Sequence, residues 1–305
     1  MRFGISERTL GALSQKAATG VALSDVVRDF DRAGSILEHM AASRDLSVIE
    51  LHSDLNQFWS DAYGEASIAR LQQVKTEYGL TYTCHLPLWS IELASLYPGV
   101  REGSVQDVAD AYRRVAALEP ETFVVHATGA LASEFMAGSR RAGGSDRKAT
   151  LAIFQDNARR SIELLLKETG MSSRALCVET VEFPAELTFA LAEEYDLSVC
   201  FDTGHVLVRF SGDTEFFETL EMMLPRIAEI HLHDGTTPPL GAPIVYQTDH
   251  QQLGTGHLDI PRFFDRLTAA NYQGPIVFEL PTDKAVASLE VIRGVRPEVI
   301  TPRVN

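Results

Sequence analysis

The chain alternates between two kinds of segment from one end to the other. Short apolar runs rich in β-branched residues predict strands, and the longer amphipathic runs between them predict helices. The predicted strands cover residues 2–6, 47–52, 81–86, 122–126, 175–180, 198–202, 228–233 and 275–280. The predicted helices cover residues 25–40, 64–78, 104–118 and 148–168, with shorter ones near 185–195, 214–224, 261–270 and 283–293. Eight strands, each followed by a helix, predict the α/β class and a single-domain (β/α)₈ TIM barrel over residues 1–305.

Two segments depart from this alternation and predict loop insertions. Residues 136–147 are rich in Gly, Ser and Arg, and residues 234–258 are rich in Pro and Gly. Both follow predicted strands, and the loops after the strands form the catalytic face of a barrel. We therefore expect them to be candidate lids over a binding site. A doubly wound open sheet is the competing arrangement, but no glycine-rich dinucleotide loop follows the first strand.

The overall charge narrows the class of partner. The 305 residues include 27 Lys and Arg against 42 Asp and Glu, which gives a formal net charge of −15. This balance disfavours nucleic acids and anionic membranes, because such partners are bound by clustered basic residues. No run approaches the ~18 apolar residues of a membrane-spanning helix. We expect a small-molecule partner, and the sequence leaves a homo-oligomer open.

The three cysteines predict reduced thiols in a cytoplasmic protein, because their number is odd and no CxxC pair occurs. Alternation along a strand places Cys177 on the same face as Glu179, and Cys200 on the same face as Asp202. We expect these two thiols to line the barrel interior. Cys84 should then point outward against a helix.

Side chains with metal-binding or acid–base chemistry collect at the carboxyl ends of the predicted strands. They are His85, His126, Glu179, Asp202, His205, His231, His233 and Glu279. A barrel brings its strand ends to one face, so these residues should form one cluster. A buried carboxylate needs a partner, and a shared divalent cation would satisfy Glu179, Asp202 and Glu279 together. His231 and His233 share a strand face, and we expect only one of them to bind metal.

Seven short motifs carry these residues: HLP, VVHATG, VETVE, FDTGH, HLHDG, DHQQLGTG and FEL. Together they resemble the xylose isomerase-like TIM barrel superfamily, over nearly the whole chain. That superfamily includes sugar and sugar-phosphate isomerases and epimerases, and the endonuclease IV type of AP endonuclease. The resemblance implies a metal site at Glu179, Asp202, His231 and Glu279, which the isomerases fill with Mn, Mg or Co.

Two branches of the superfamily imply phosphodiester chemistry. The endonuclease IV branch has a three-zinc cluster, whose additional ligands match His85, His126, His205 and His250. Its Asp ahead of the loop histidine falls nearest Thr248 or Asp249, out of register by one residue. The segments LTYTCHLPL and LSVCFDTGH, with HLHDG and a following DH, resemble the cobamide-remodelling phosphodiesterases. This second resemblance implies cleavage of the phosphodiester in a cobamide.

Charge and ligand type favour a hydrolase over an isomerase. A single divalent cation among three carboxylates leaves a net negative charge, which suits a neutral sugar. Three cations leave a net positive charge that attracts a phosphodiester, even if Asp249 also binds. The histidines favour zinc over magnesium as the bound metal. We expect one to three zinc ions. Glu179 and Glu279 are the expected catalytic residues. The alternative is a sugar or sugar-phosphate isomerase or epimerase that uses Mn, Co or Mg.

Four further residues are candidate substrate contacts. Arg140 and Arg141, in the loop after the fourth strand, could clamp a phosphate through paired hydrogen bonds. Trp89 could line a pocket for an apolar or aromatic ligand. His233 could contact substrate or act as an acid–base group. A third hypothesis, a barrel that binds a ligand without turnover, is disfavoured because all four core ligands are present.

Overall fold

A closed parallel barrel forms the centre of the computed structural model, which describes residues 1–6, 45–58, 62–139, 145–242, 245 and 248–302. Within those ranges eight parallel strands pair in chain order, and the eighth pairs with the first. They are β1 (Arg2–Ser6), β2 (Leu46–His52), β3 (Thr81–His85), β4 (Phe123–Val125), β5 (Leu176–Glu179), β6 (Ser198–Asp202), β7 (Ile227–His231) and β8 (Pro275–Phe278). Every predicted strand is present, which confirms the (β/α)₈ TIM barrel.

Helices surround the barrel and connect its strands. They are α1 (Leu55–Phe58), α2 (Glu65–Tyr78), α3 (Pro98–Val115), α4 (Ala130–Ser139), α5 (Ser145–Thr169), α6 (Ala185–Glu194), α7 (Thr203–Leu207), α8 (Phe216–Met223), α9 (Ile260–Ala269) and α10 (Thr282–Val295). Helix α3 begins six residues before its predicted start, with a proline in its first turn where no backbone N–H is required. The helix predicted at residues 25–40 lies outside the described residues.

The predicted irregular segment at residues 136–147 is wrong over much of its length. Helix α4 extends through Ser139 and α5 begins at Ser145, so the described residues of the segment are helical. The Gly, Ser and Arg content hid a helical periodicity that begins earlier. Ala132 and Met136, one turn apart, are both fully buried and anchor α4 to the core.

The segment at residues 234–258 is a loop, as predicted, in the parts that the structure describes. Its one regular feature there is an antiparallel bridge between Asp234 and Gln251. This bridge brings the end of the loop back beside β7. The loop therefore returns over the carboxyl ends of the strands rather than extending away from the barrel.

The apolar core consists of two clusters, one outside the barrel strands and one inside the barrel. The larger cluster fills the space between strands and helices and includes Cys84. The smaller one consists of Val124, Cys177 and Cys200, which share strand faces with the residues of the candidate site. The predicted orientation of all three thiols is thereby confirmed. Among the described helices, none is long and apolar enough to cross a membrane.

Candidate metal centre

The sequence-predicted side chains converge at the carboxyl ends of the strands. Four of them are the last residues of their strands, namely His85 of β3, Glu179 of β5, Asp202 of β6 and His231 of β7. His126 and Glu279 directly follow β4 and β8. Parallel pairing in register brings these positions, far apart in the chain, onto one rim. The predicted cluster therefore exists as a geometric unit.

Glu179 lies at the centre of the cluster. Its Oε2 atom is 3.2 Å from His85 Nε2 and 2.9 Å from His126 Nε2. Its Oε1 atom is 3.2 Å from His205 Nδ1 and 3.4 Å from His231 Nδ1. Burial opposes ionisation of this carboxyl group, but the surrounding histidines hold its pKa well below the ordinary value. One carboxylate thus faces two pairs of imidazoles on opposite sides.

Asp202 orients the histidine that follows it. Its Oδ1 accepts a 2.7 Å hydrogen bond from the backbone N–H of His205 and so caps α7. This cap turns the His205 ring into the cluster. Gly204 lies between them because a side chain at this position would collide with the ring of His233. The spacing in the DTGH motif therefore has a local structural cause.

The four residues of the predicted core site form a compact group. Ligand atoms of Glu179, Asp202, His231 and Glu279 all lie within 4.8 Å of one another. His231 Nδ1 is 3.7 Å from Asp202 Oδ2 and 3.8 Å from Glu279 Oε2. All four side chains are buried. A second group, at His85, His126 and Glu179, meets the first at the shared carboxylate.

The 234–258 loop adds Asp249 and His250 to the other side of the cluster. His250 Nε2 is 3.0 Å from Glu279 Oε2, and its Nδ1 is 2.9 Å from Asp249 Oδ2. Asp249 Oδ2 also lies 3.4 Å from His205 Nε2. Despite its offset in sequence, Asp249 therefore occupies the cluster. His250 has a positive φ of 53°, so the loop holds its backbone in the left-handed region.

His233 has a different position from the one expected of a substrate contact. The residue is fully buried, and its Nε2 is 2.9 Å from Asp202 Oδ2. Its Nδ1 accepts a hydrogen bond from the backbone N–H of His250, and the two rings stack 4.1 Å apart. Burial lowers the pKa of His233, which favours the neutral ring that this pattern requires. His233 joins Asp202 to the loop and presents no surface to a substrate.

The remaining predicted substrate contacts lie outside the cluster or outside the described residues. Trp89 follows β3, is 38 % exposed, and its backbone N–H donates to the carboxylate of Asp54. Trp89 therefore lies in the loop after β3, and its contact with a substrate stays a prediction. Arg140 and Arg141 are not among the described residues, so their phosphate-binding role stays a prediction.

Two buried carboxylates inside the barrel escaped the sequence analysis. Glu50 of β2 and Glu229 of β7 are both fully buried. Glu50 Oε2 lies 2.7 Å from His231 Nε2, and burial together with neighbouring Glu50 raises the pKa of Glu229 to about 8. Glu50 lies within the apolar run SVIELH, and a Glu in an apolar run is the same pattern that identified Glu279. Glu229 was harder to find because the run IAEIHLHD already contained two candidate histidines.

The donor set of this cluster fits a divalent metal. Imidazole nitrogens and carboxylate oxygens together suit zinc and other borderline cations. The Nδ1 atoms of His205 and His231 are buried without a hydrogen-bond partner, and both face carboxylate oxygens. A cation between these atoms would satisfy the imidazole lone pairs and offset the repulsion among the carboxylates.

Comparison with known proteins places the chain among similar barrels. An uncharacterized protein of Methanocaldococcus jannaschii is 24% identical over 230 residues, which cover 74% of each chain. A D-tagatose 3-epimerase-like protein has a TM-score of 0.66 and 20% identity over 98% of both chains. Endonuclease IV from Thermus thermophilus has a TM-score of 0.58 and 17% identity, covering 98% of this chain and 100% of its own. At these identities the structural likeness shows the fold alone.

A family assignment comes from the sequence itself. Residues 39–296 match the family described as xylose isomerase-like TIM barrel. This range includes every strand from β2 to β8 and all the residues of the cluster. The resemblance inferred from the short motifs is thereby confirmed, and the chain belongs to the xylose isomerase-like TIM barrel family.

Proposed function

We propose that the protein is a divalent-metal-dependent hydrolase that cleaves a phosphodiester in a small nucleotide-like substrate, with cobamides as one candidate. The observation that carries this proposal is the position of Glu179 between two groups of histidines. A carboxylate with one oxygen toward His85 and His126, and the other toward His205 and His231, suits a site for more than one cation. A mononuclear site needs only one of these groups.

The residues divide into distinct roles under this proposal. Divalent cations, when bound, neutralise phosphate charge and lower the pKa of water. Glu179 is proposed to join the two parts of the site and to orient the attacking water. Glu279 contacts His250, 3.0 Å away, and closes the side of the cluster formed by the loop. Zinc is the favoured metal because the cluster combines at least five imidazoles with the carboxylates.

The surroundings of the cluster support a small substrate rather than a polynucleotide. A groove of about 850 Å³ beside helices α5, α6 and α8 combines apolar and acidic side chains. Its lining includes Leu151, Leu187, Leu240, Glu186, Asp213 and Glu218. Gln155 and Leu187 also line a small cleft that reaches Glu179. The carboxylates would repel a phosphate backbone, whereas the apolar part of a small molecule could occupy the groove.

A sugar or sugar-phosphate isomerase or epimerase is the second candidate. It is favoured by the compactness of Glu179, Asp202, His231 and Glu279, which could hold a single Mn, Co or Mg ion. The two glutamates would then move protons next to a polarised carbonyl group. In this alternative His85, His126 and His250 would contact substrate rather than metal. A cytoplasmic location and a homo-oligomeric state stay predictions from the sequence.

Metal content and substrate choice together test the proposal. Protein purified without chelator is analysed for bound metals, reconstituted, and assayed against a panel of phosphodiesters and ketoses. We expect two or three equivalents of zinc and hydrolysis of a small phosphodiester. One equivalent of Mn or Co, with conversion of a ketose and no action on phosphodiesters, would overturn the proposal in favour of the isomerase.

The variant His126→Ala separates the two candidates at one residue. In a polynuclear site this change removes a ligand and should lower the zinc content by about one equivalent. In a mononuclear isomerase it should raise KM and leave the metal content unchanged. The matched control is His257→Ala, an exposed histidine of the 234–258 loop, which should alter neither quantity.

A further inference from the structure

Glu50 lies directly beneath the cluster, inside the barrel. It belongs to β2, between β1 and β3, and its side chain has no exposed surface. Its Oε2 atom is 2.7 Å from Nε2 of His231, and its Oε1 atom is 3.2 Å from Nε2 of His52. His52 in turn bonds the hydroxyl of Ser6. The hydrogen bond to His231 therefore holds one oxygen of Glu50, whereas the other faces His52 without a hydrogen bond.

The two nitrogens of His231 face different surroundings. Nε2 lies 2.7 Å from Glu50 Oε2, whereas Nδ1 faces Glu179 at 3.4 Å, Asp202 at 3.7 Å and Glu279 at 3.8 Å. A neutral imidazole carries one N–H and one lone pair. An N–H on Nε2, donated to Glu50, leaves the lone pair of Nδ1 facing three carboxylates. A lone pair in that position is stabilised by a cation between the ring and the carboxylates.

A merely structural role does not account for Glu50. Burying a carboxylate inside a barrel carries a desolvation penalty, and apolar residues of similar volume usually stabilise such positions as well or better. The penalty is offset when the carboxylate orients a metal-binding histidine, because partners of this kind strengthen metal binding. His85 also stacks on His52 at 5.1 Å, so the same set of residues supports a second imidazole of the cluster.

We propose that Glu50 is a positioning residue, which fixes the Nε2–H tautomer of His231 and thereby aims Nδ1 at a bound divalent metal. This inference rests on the metal-dependent function proposed above. In this proposal Glu50 is not itself a metal ligand. It acts through His231 alone and sets the affinity and geometry of the core site.

Glu229 offers a matched control within the same barrel. It is also fully buried, and it lies on β7 two residues before His231. Its Oε2 accepts a 2.6 Å hydrogen bond from the hydroxyl of Thr122 rather than from an imidazole. A carboxylate oxygen of Glu229 lies within 4.8 Å of Glu50 and His231, but Glu229→Gln leaves the hydrogen bond between Glu50 and His231 in place.

The test measures metal binding in the absence of substrate. Wild type, Glu50→Ala, Glu50→Gln and Glu229→Gln are stripped of metal, and zinc affinity is measured by competition with a chromophoric chelator. We expect Glu50→Ala to lower zinc affinity by about 10- to 100-fold. Glu50→Gln should have a smaller effect, since its amide oxygen still accepts the N–H but carries no charge. Glu229→Gln should match wild type.

A spectroscopic readout distinguishes positioning from general destabilisation. The visible absorption of the Co²⁺-loaded protein reports ligand geometry, and it should change in both Glu50 variants and not in Glu229→Gln. Circular dichroism of the metal-free proteins establishes that the fold is retained. If Glu50→Ala does not fold, the zinc affinity and cobalt spectrum of Glu50→Gln, compared with those of Glu229→Gln, test the inference.

Two results would overturn the inference. One is wild-type zinc affinity and an unchanged cobalt spectrum in Glu50→Gln and Glu50→Ala. The other is an equal loss in Glu229→Gln, which would indicate a general effect of the interior carboxylates. A wild-type protein that binds metal but hydrolyses no phosphodiester overturns the proposed function and leaves this inference standing. A wild-type protein that binds no divalent metal overturns both.

Discussion

The candidate ligands come from two regions that the chain holds in different ways. His85, Glu179, Asp202 and His231 end strands of a closed barrel, so their backbones are fixed by pairing on both sides. Asp249 and His250 instead come from the 234–258 loop. We expect the strand-borne candidate ligands to be lost only when the barrel opens, and the loop to open by itself at a lower free energy. One site thus combines a rigid part with a separable part.

A single carboxylate organises the separable part. Asp234 is fully buried and accepts hydrogen bonds from four backbone N–H groups at 2.9 to 3.0 Å. The donors are Gly235, Gly254, Gly256 and Leu258. Gly256 approaches Asp234 so closely that a side chain there would collide with the carboxylate. The placement of Asp249 and His250 depends on this arrangement.

The largest effect on turnover is expected from Glu179→Gln, which alters the central carboxylate of the strand-borne part of the site. The change removes the charge that faces both groups of histidines, with little change in volume. Turnover should fall by more than about 100-fold and metal content should drop, while the circular dichroism spectrum stays that of the wild type. Near wild-type turnover in this variant would show that the site has been assigned to the wrong residues.

His250→Ala addresses the loop alone and should have a smaller effect. The variant loses contacts to Glu279 and Asp249 but leaves every strand-borne residue in place. We expect the loss of about one metal equivalent, with the rest retained, by elemental analysis after dialysis. His257→Ala serves as the control, because this exposed ring lies in the same loop, accepts a hydrogen bond from the backbone N–H of Thr237 and belongs to no candidate metal group. Equal losses in the two variants would contradict the division of the site.

Asp234→Asn acts on the loop without touching a ligand. Each carboxylate oxygen accepts two of the four N–H groups, so an amide nitrogen in place of either oxygen leaves two N–H groups without their acceptor, at a cost of about 1–3 kcal/mol each. Hydrogen exchange of residues 248–258 should accelerate, while exchange in the barrel strands stays unchanged. If the strands exchanged faster as well, the loop would not be a separate unit of stability.

A pH dependence of metal binding should distinguish the two parts further. Burial opposes the charged form of His85, but its bond to Glu179 outweighs burial and raises its pKa in the metal-free protein to about 9. The ring is therefore protonated below that pH, and a metal must displace the proton. The His85 proton should make zinc affinity rise with pH, by up to about tenfold per unit, until this contribution levels off above about 9. His250→Ala should keep this dependence and His85→Ala should weaken it.

Sequence periodicity located the barrel and most of the site because both depend on local rules. Strand alternation and strand ends identified Glu179, Asp202 and His231, and the barrel made them neighbours. The interior was less visible, since Glu50 and Glu229 differ from outward-facing residues only through the barrel closure that buries them. Helix α4 was missed because its Gly and Ser content outweighed the spacing of Ala132 and Met136.

The role of His233 could not be derived from the chain either. Its buried position depends on the small residue at Gly204 and on a loop that returns from residue 250, far along the sequence. The position of Asp249 was likewise not predictable from the sequence. The motif places this Asp one residue out of register, but the loop brings the Asp249 carboxylate to 3.4 Å from His205 Nε2.

The three thiols of this protein give it a built-in reporter of barrel opening. Cys84, Cys177 and Cys200 have no exposed surface, and two of them lie beneath the candidate metal centre. A thiol reagent can reach them only when the surrounding structure opens, so their rate of alkylation measures the frequency of that opening. Cys177 and Cys200 sense the inside of the barrel, and Cys84 senses the layer between strands and helices. The same chain can thus record which layer separates first, without an added label.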